Sequence, residues 1–250
     1  MIYRYRLQFK SSDEQRLRSD DAYRLYAWLL SQLPEEYGDE LHIQQEHPIS
    51  HYLLCEAGKS PQWIISILSD DANQLLQPVL CSAREIALNN ITLLVEQLIV
   101  EPPVSPKDLV LAARSKDSSR AALVLHAPTT FKQNGSYVMF PQELLVVRSL
   151  INRWNCFCPD FPLNDEEAFQ MLLNGIRITD YNLHSKRYRL KGTLICGFCG
   201  KLTLSARLPL PLQELWSVLL LWAPYSGIGI KTALGMGGTS VQFSENDTIK

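Results

Sequence analysis

One order of elements runs twice along this chain, and that repetition constrains the fold more than any other feature of the sequence. Tyr3–Phe9 (YRYRLQF) alternates with the period-two pattern of a half-buried strand. Asp20 or Asp21 then opens a helix with Ala22, Leu25, Leu29 and Leu33 on one face, stopped at Pro34. Two apolar runs, Ile49–Glu56 and Gln62–Leu68, flank AGKSP as the arms of a hairpin would. Asp70 or Asp71 caps a second helix, Ala72–Cys81, which Pro78 is expected to shorten or kink. Ile91–Val100 reads as the closing strand. The second half starts the order again with a strand at Ala122–Pro128 and a helix over Pro141–Asn155. Strands follow at Gly175–Leu183 and Thr193–Leu208, the latter broken as a hairpin at Gly197 and Gly200, before a helix over Pro211–Tyr225. Strand, helix, strand, strand, helix, strand, twice over, predicts an α+β chain of tandem ferredoxin-like (RRM-like) domains. EPPVSPKD and RSKDSSR have the composition of a connector, which divides the chain into 1–117 and 118–250.

Apolar residues make up 46% of the 250, enough for a substantial core. No apolar run approaches the roughly 20 residues of a membrane span. The N-terminus, MIYRYRLQFK, lacks the apolar block of a secretory signal, so a cytoplasmic protein with no membrane partner is expected. Cys156-Phe-Cys158 and Cys196-Gly-Phe-Cys199 raise a zinc site. Structural zinc favours two CxxC knuckles, and CxC is a poorer one, so free core thiols are favoured and no metal or cofactor is expected. The net charge of −2 is unevenly spread. Residues 1–117 hold 11 basic against 17 acidic side chains, whereas 176–231 hold 8 against 2. Positive charge clustered this way marks a site for phosphate.

That basic segment leads into GIGIKTALGMGG, Gly227–Gly238, where glycines surround one lysine and one threonine. A Walker loop needs glycine directly before the lysine and a strand before the loop, but here Ile230 precedes Lys231 and a helix comes first. A dinucleotide fingerprint needs a third glycine where Thr232 stands, then a further βαβ unit. Both nucleotide readings fail. A plain connector is one alternative; backbone N–H groups laid against an RNA strand are the other.

Here the sequence resembles a known family. APYSGIGIKTALGMGG is similar to the C-terminal glycine-rich signature of the CRISPR-associated RAMP endoribonucleases, which cut precursor CRISPR RNA within its repeats. LHAPTTFKQNGSYVMFP with the helix ending SLINRWN resembles the opening of that family's second domain, and ICGFCGKLTL its hairpin. DAYRLYAWLL followed by ELHIQQEHPISHYLL resembles the N-terminal region that holds the active site. The similarity covers nearly the whole chain, and it too implies tandem ferredoxin-like domains.

What the resemblance implies is metal-independent cleavage, with a 2′-OH attacking the adjacent phosphorus to leave a 2′,3′-cyclic phosphate and a 5′-OH. That reaction needs a base, an acid and donors for developing charge, and histidine suits either proton role. Three of the five histidines, His42, His47 and His51, crowd into ten residues. By the resemblance His42 is the catalytic residue and His47 its runner-up, whereas His51 falls in a predicted strand and is expected to be packed or surface-exposed. Tyr26 matches a tyrosine that family members add to this site, with Tyr23 one turn earlier. For RNA, the basic stretch HSKRYRLKG offers Lys186, Arg187, Arg189 and Lys191. The glycine run offers Gly227, Gly229, Lys231, Thr232, Gly235 and Gly237, and Lys132 is a further phosphate candidate. Expected partners are the CRISPR repeat in precursor RNA and subunits of a CRISPR effector complex, with the protein a monomer or homodimer. The rival reading is a non-catalytic RAMP-type RNA-binding subunit of such a complex.

Overall fold

The computed structural model describes residues 1–10, 17–34, 47–88 and 91–244. Its first unit runs β1 (Ile2–Phe9), α1 (Asp21–Ser31), β2 (Ile49–Leu54), β3 (Gln62–Ile67), α2 (Asp70–Ser82), β4 (Glu85–Leu88) and β5 (Ile91–Val104). The strands form one sheet ordered β2-β3-β1-β5-β4, antiparallel throughout. After α3 (Pro106–Ala113) come β6 (Arg120–Thr129), β7 (Phe131–Gln133), β8 (Ser136–Val138), α4 (Glu143–Phe157) and α5 (Glu166–Gly175). Then follow β9 (Ile176–Leu190), β10 (Thr193–Ala206), α6 (Leu210–Ser226), a 3-10 turn (Thr232–Leu234) and β11 (Thr239–Phe243). The second sheet is ordered β11-β6-β10-β9, with β7 and β8 as a separate hairpin. In both sheets the first and third strands of the motif sit at the centre, the ferredoxin-like arrangement expected from the sequence.

Alternation puts Tyr5, Leu7 and Phe9 of β1 into the first core, with Leu25, Leu29, Trp63 and Leu76. The second core gathers Leu123, Leu150, Trp154, Leu202, Trp216 and Trp222, and α3 adds Leu109 and Ala113 to it.

Three local expectations are corrected. Ser69, not an aspartate, caps α2 by accepting from the Ala72 amide, and the helix continues through Pro78 to Ser82. Pro78 lies on the exposed face, where water can satisfy the carbonyl it leaves without a partner. EPPVSPKD is not a linker. Pro102 and Pro103 sit at a register shift in β5, opposite β1, where the ladder loses donors anyway. Ser105 then starts α3 with a capping box to Asp108 and Pro106 in the first turn. Gly197 and Gly200 do not break β10. The β9–β10 turn is Lys191–Gly192, both at positive φ (47° and 79°) as a two-residue type I′ turn requires.

The units meet through side chains that reach across from the first sheet. Arg4 of β1 donates to the Pro224 carbonyl at the end of α6 and lies 4.9 Å from the Tyr225 ring centroid. Tyr52 of β2 stacks on His126 of β6, with centroids 5.7 Å apart and planes 1° from parallel.

Candidate active site

Gly227 ends α6 at φ 70° and sends the glycine run between the two units. From the second unit, Thr130 accepts from the Ile230 amide through its carbonyl, and Ser149 accepts from Gly229 through its hydroxyl. The Tyr188 hydroxyl donates to the Leu234 carbonyl. From the first unit, His51 bonds the neighbouring carbonyl, Ala233, at 2.9 Å. The His51 tautomer follows from its other partner. Trp63 Nε1 can only donate, and it reaches His51 Nδ1 at 3.2 Å, so the proton that His51 gives to Ala233 is on Nε2. Burial holds this imidazole neutral, with its pKa lowered to about 4, and the same desolvation pushes the Tyr188 hydroxyl up.

This packing decides what the glycines do. A Cβ at Gly235 would stand 2.3 Å from the Tyr188 hydroxyl oxygen, and one at Gly238 would stand 2.1 Å from Cγ of Tyr52. Both positions need glycine because a neighbour occupies the side-chain volume. The expectation that the run presents its amides outward is corrected in part. Gly227 donates to Ala223, Gly229 to Ser149 and Gly237 to Pro128, all within the protein. Its polar residues Lys231 and Thr232 instead line an open cleft of about 430 Å³.

That cleft is the centre of the site. Its walls are β7 (Phe131, Lys132), α4 (Arg148, Ser149, Asn152, Arg153), the loop Gly229–Leu234, and His47 just before β2. Lys132, Arg148, Arg153 and Lys231 bring four cations to it, and no carboxylate lines it among the described residues. Arg153 is 5% exposed, lies 5.1 Å from the Phe157 ring centroid and approaches the Ile49 carbonyl at 3.5 Å. The α4 wall was missed in the sequence. Its signal was present as Arg148, Ser149, Asn152 and Arg153, polar residues at spacings of three and four that put them along one side of the helix.

Of the residues singled out from the sequence, His47, Lys132, Lys231 and Thr232 converge here. His42 lies outside the described residues. Tyr26 is only 4% exposed and stacks on His51 at 5.3 Å, so its ring packs against the histidine that holds the loop. Arg189 and Lys191 are exposed and line a different groove of about 670 Å³, facing Tyr23, Arg24 and Trp28 of α1. There Arg18 and Arg24 are already paired with Asp20 (3.6 Å) and Asp21 (3.0 Å). Lys186 is half-buried, with Cys55 and Cys199 in its electrostatic neighbourhood, and Arg187 is exposed. The cysteines do not converge: Cys158 and Cys199 are buried, Cys156 is exposed, and no metal-ligating group of three or more gathers among the described residues.

The tandem ferredoxin-like fold is that of the RAMP class, and solved structures share it. A Cas6 product complex superposes with a TM-score of 0.80 over 96% of this chain and 99% of its own, at 23% identity. Residues 123–239 match the family model described as CRISPR-associated endoribonuclease Cas6. The Cas6 endoribonuclease of Streptococcus thermophilus is 30% identical over 89% of this chain and 92% of its own length. That of Mycobacterium tuberculosis (strain H37Rv) is 27% identical over 87% of this chain and 70% of its own. The chain belongs to the Cas6 family of CRISPR-associated endoribonucleases. Among the described residues, no helix is long and apolar enough to cross a membrane.

Proposed function

We propose that this protein cuts precursor CRISPR RNA within its repeats by a metal-independent transesterification in the cleft beneath the glycine loop. The observation that carries this reading is the cleft's composition: four cations, no carboxylate among the described residues, and a histidine in its wall. A divalent ion would want carboxylate oxygens, whereas a phosphodiester and its phosphorane want the donors that line the cleft. His47 is in its wall, and His42, the proposed catalytic histidine, stands five positions earlier in the sequence.

In the proposed step a base removes the proton from the 2′-OH, the 2′-oxygen bonds to the adjacent phosphorus, and the bond to the 5′-oxygen breaks. An acid protonates the leaving oxygen, which gives a 2′,3′-cyclic phosphate and a 5′-OH. One histidine can fill either proton role near neutral pH. Lys231 and Arg148 supply charge at the non-bridging oxygens, and Tyr26 acts through His51 on the loop's position. Arg187, Arg189 and Lys191, on the β9–β10 hairpin, grip the RNA beside the cut.

The test is cleavage of the host's repeat RNA in excess EDTA by wild type, His42→Ala and His47→Ala, beside a substrate with a single 2′-deoxy at the cut. The expected result is cutting in EDTA that both the deoxy substitution and His42→Ala abolish, with affinity kept. Cleavage that needs added metal, or that survives both changes, would overturn the mechanism. Tight binding with no cutting by wild type would make this a non-catalytic RNA-binding RAMP subunit.

A further inference from the structure

Three Tyr or Phe side chains are exposed among the described residues; two of them touch, and the third is three residues away in the chain. Tyr137 (47% exposed) is in β8, Phe140 (59%) follows it by three residues, and Tyr181 (56%) is on β9, the edge strand of the second sheet. The Phe140 and Tyr181 rings meet edge to face, 6.1 Å apart at 85°. Exposed rings in contact, with another close by in the chain, make an aromatic patch suited to a ligand with flat faces.

The hairpin ties this ledge to the cleft. Lys132 of β7 lines the cleft and is paired in register with Tyr137 of β8, so one two-stranded ribbon carries a cleft lysine on one strand and an exposed ring on the other. The ribbon is firmly held. Asn134 and Gly135 both take positive φ (50° and 80°) in its type I′ turn, Thr130 donates to the Val138 carbonyl at 3.0 Å, and Phe131 is buried against Phe198.

We infer that Tyr137, Phe140 and Tyr181 form a stacking ledge for two or three unpaired nucleotides of the RNA strand that leaves the cleft past Lys132. This rests on the RNA reading above. Rings pre-placed on a rigid ribbon stack bases with little ordering cost, and they do so without regard to base identity because every base has a flat face. Lys132 provides the phosphate contact at the junction between cleft and ledge.

The test is anisotropy binding with two non-cleavable 2′-deoxy RNAs, the host's repeat with its single-stranded flank and the same repeat trimmed of it. The double variant Phe140→Ala/Tyr181→Ala is expected to lose roughly 10-fold or more in affinity for the flanked RNA and nothing for the trimmed one. The salt dependence should be unchanged, because stacking releases no counterions. Phe140→Leu/Tyr181→Leu, which keeps apolar area but removes the rings, should show the same loss and controls for folding. Equal loss on both RNAs, rescue by leucine, or no loss at all would overturn the ledge and leave the patch to a protein contact. Failure of wild type to bind either RNA would overturn the RNA reading itself, and the ledge with it.

Discussion

At the scale of single residues, one side chain that holds the glycine loop and one within it affect stability in ways that can be measured apart from cleavage. His51 is buried and neutral, with its pKa lowered to about 4 from 6.5. The unfolded chain therefore binds the extra proton first. Stability from this group is complete above pH about 6.5 and is lost as pH falls toward 4. The gap amounts to about 3 kcal/mol in full. Urea midpoints from pH 7 to pH 4 should fall in wild type and fall less in His51→Gln; parallel profiles would count against the assignment. Lys231 is held in the left-handed region, at φ 61°, which costs a residue with a Cβ about 1 kcal/mol relative to glycine. Lys231→Gly should thus raise the urea midpoint while weakening RNA binding several-fold, a pairing that a purely structural lysine would not give. His51 also marks a limit of the sequence. Its strand position was readable, but its partner Ala233 lies 182 residues away, and no local pattern reports such a bond.

Elements were easier to read than their ends. Period-two and period-3.6 patterns placed β1, α1, α4 and α6, and their order was enough for the ferredoxin-like class. The errors came where proline and glycine have two meanings. Pro102 and Pro103 have linker composition, yet they sit at a strand irregularity; Gly197 reads as a turn, yet its missing side chain lets β10 lie against the backbone of Thr129. The true turn, Lys191–Gly192, lacks the usual Asn-Gly or Asp-Gly signal because lysine occupies the first left-handed position. That shift moves the basic cluster onto the two-stranded arm itself, with Arg187 and Arg189 exposed along β9. If both arginines meet phosphates, Arg187→Ala/Arg189→Ala should make the log–log salt slope of RNA binding shallower by about 1 to 2. An unchanged slope in filter-binding titrations would remove them from the interface.

For the molecule as a whole, the cleft is a joint property of both units. The resemblance to the family's glycine signature located the loop, but its role as the part that both units hold depends on contacts between distant segments. Arg4 is the clearest strut: 7% exposed, it binds a carbonyl at the end of α6 and packs on Tyr225. Arg4→Met keeps most of the packing but leaves that carbonyl without its charged donor, at a cost of about 1–3 kcal/mol. Scanning calorimetry should show the unfolding endotherm broaden or split as the units uncouple; a uniform shift of one sharp transition would mean that the strut stabilises without coupling.

The glycine loop has one further consequence, for how fast substrate gets in. It is fastened to the first unit through Ala233 and to the second through Gly229 and Ile230, so hinging the units apart would tear it from one side. A cleft closed by a hinge makes its ligand wait for an opening event, and association then saturates at the opening rate. This cleft stands ready-made. In stopped-flow mixing with repeat RNA, the observed rate should climb in proportion to RNA concentration without reaching a plateau, and its size should be governed by charge attraction and ionic strength.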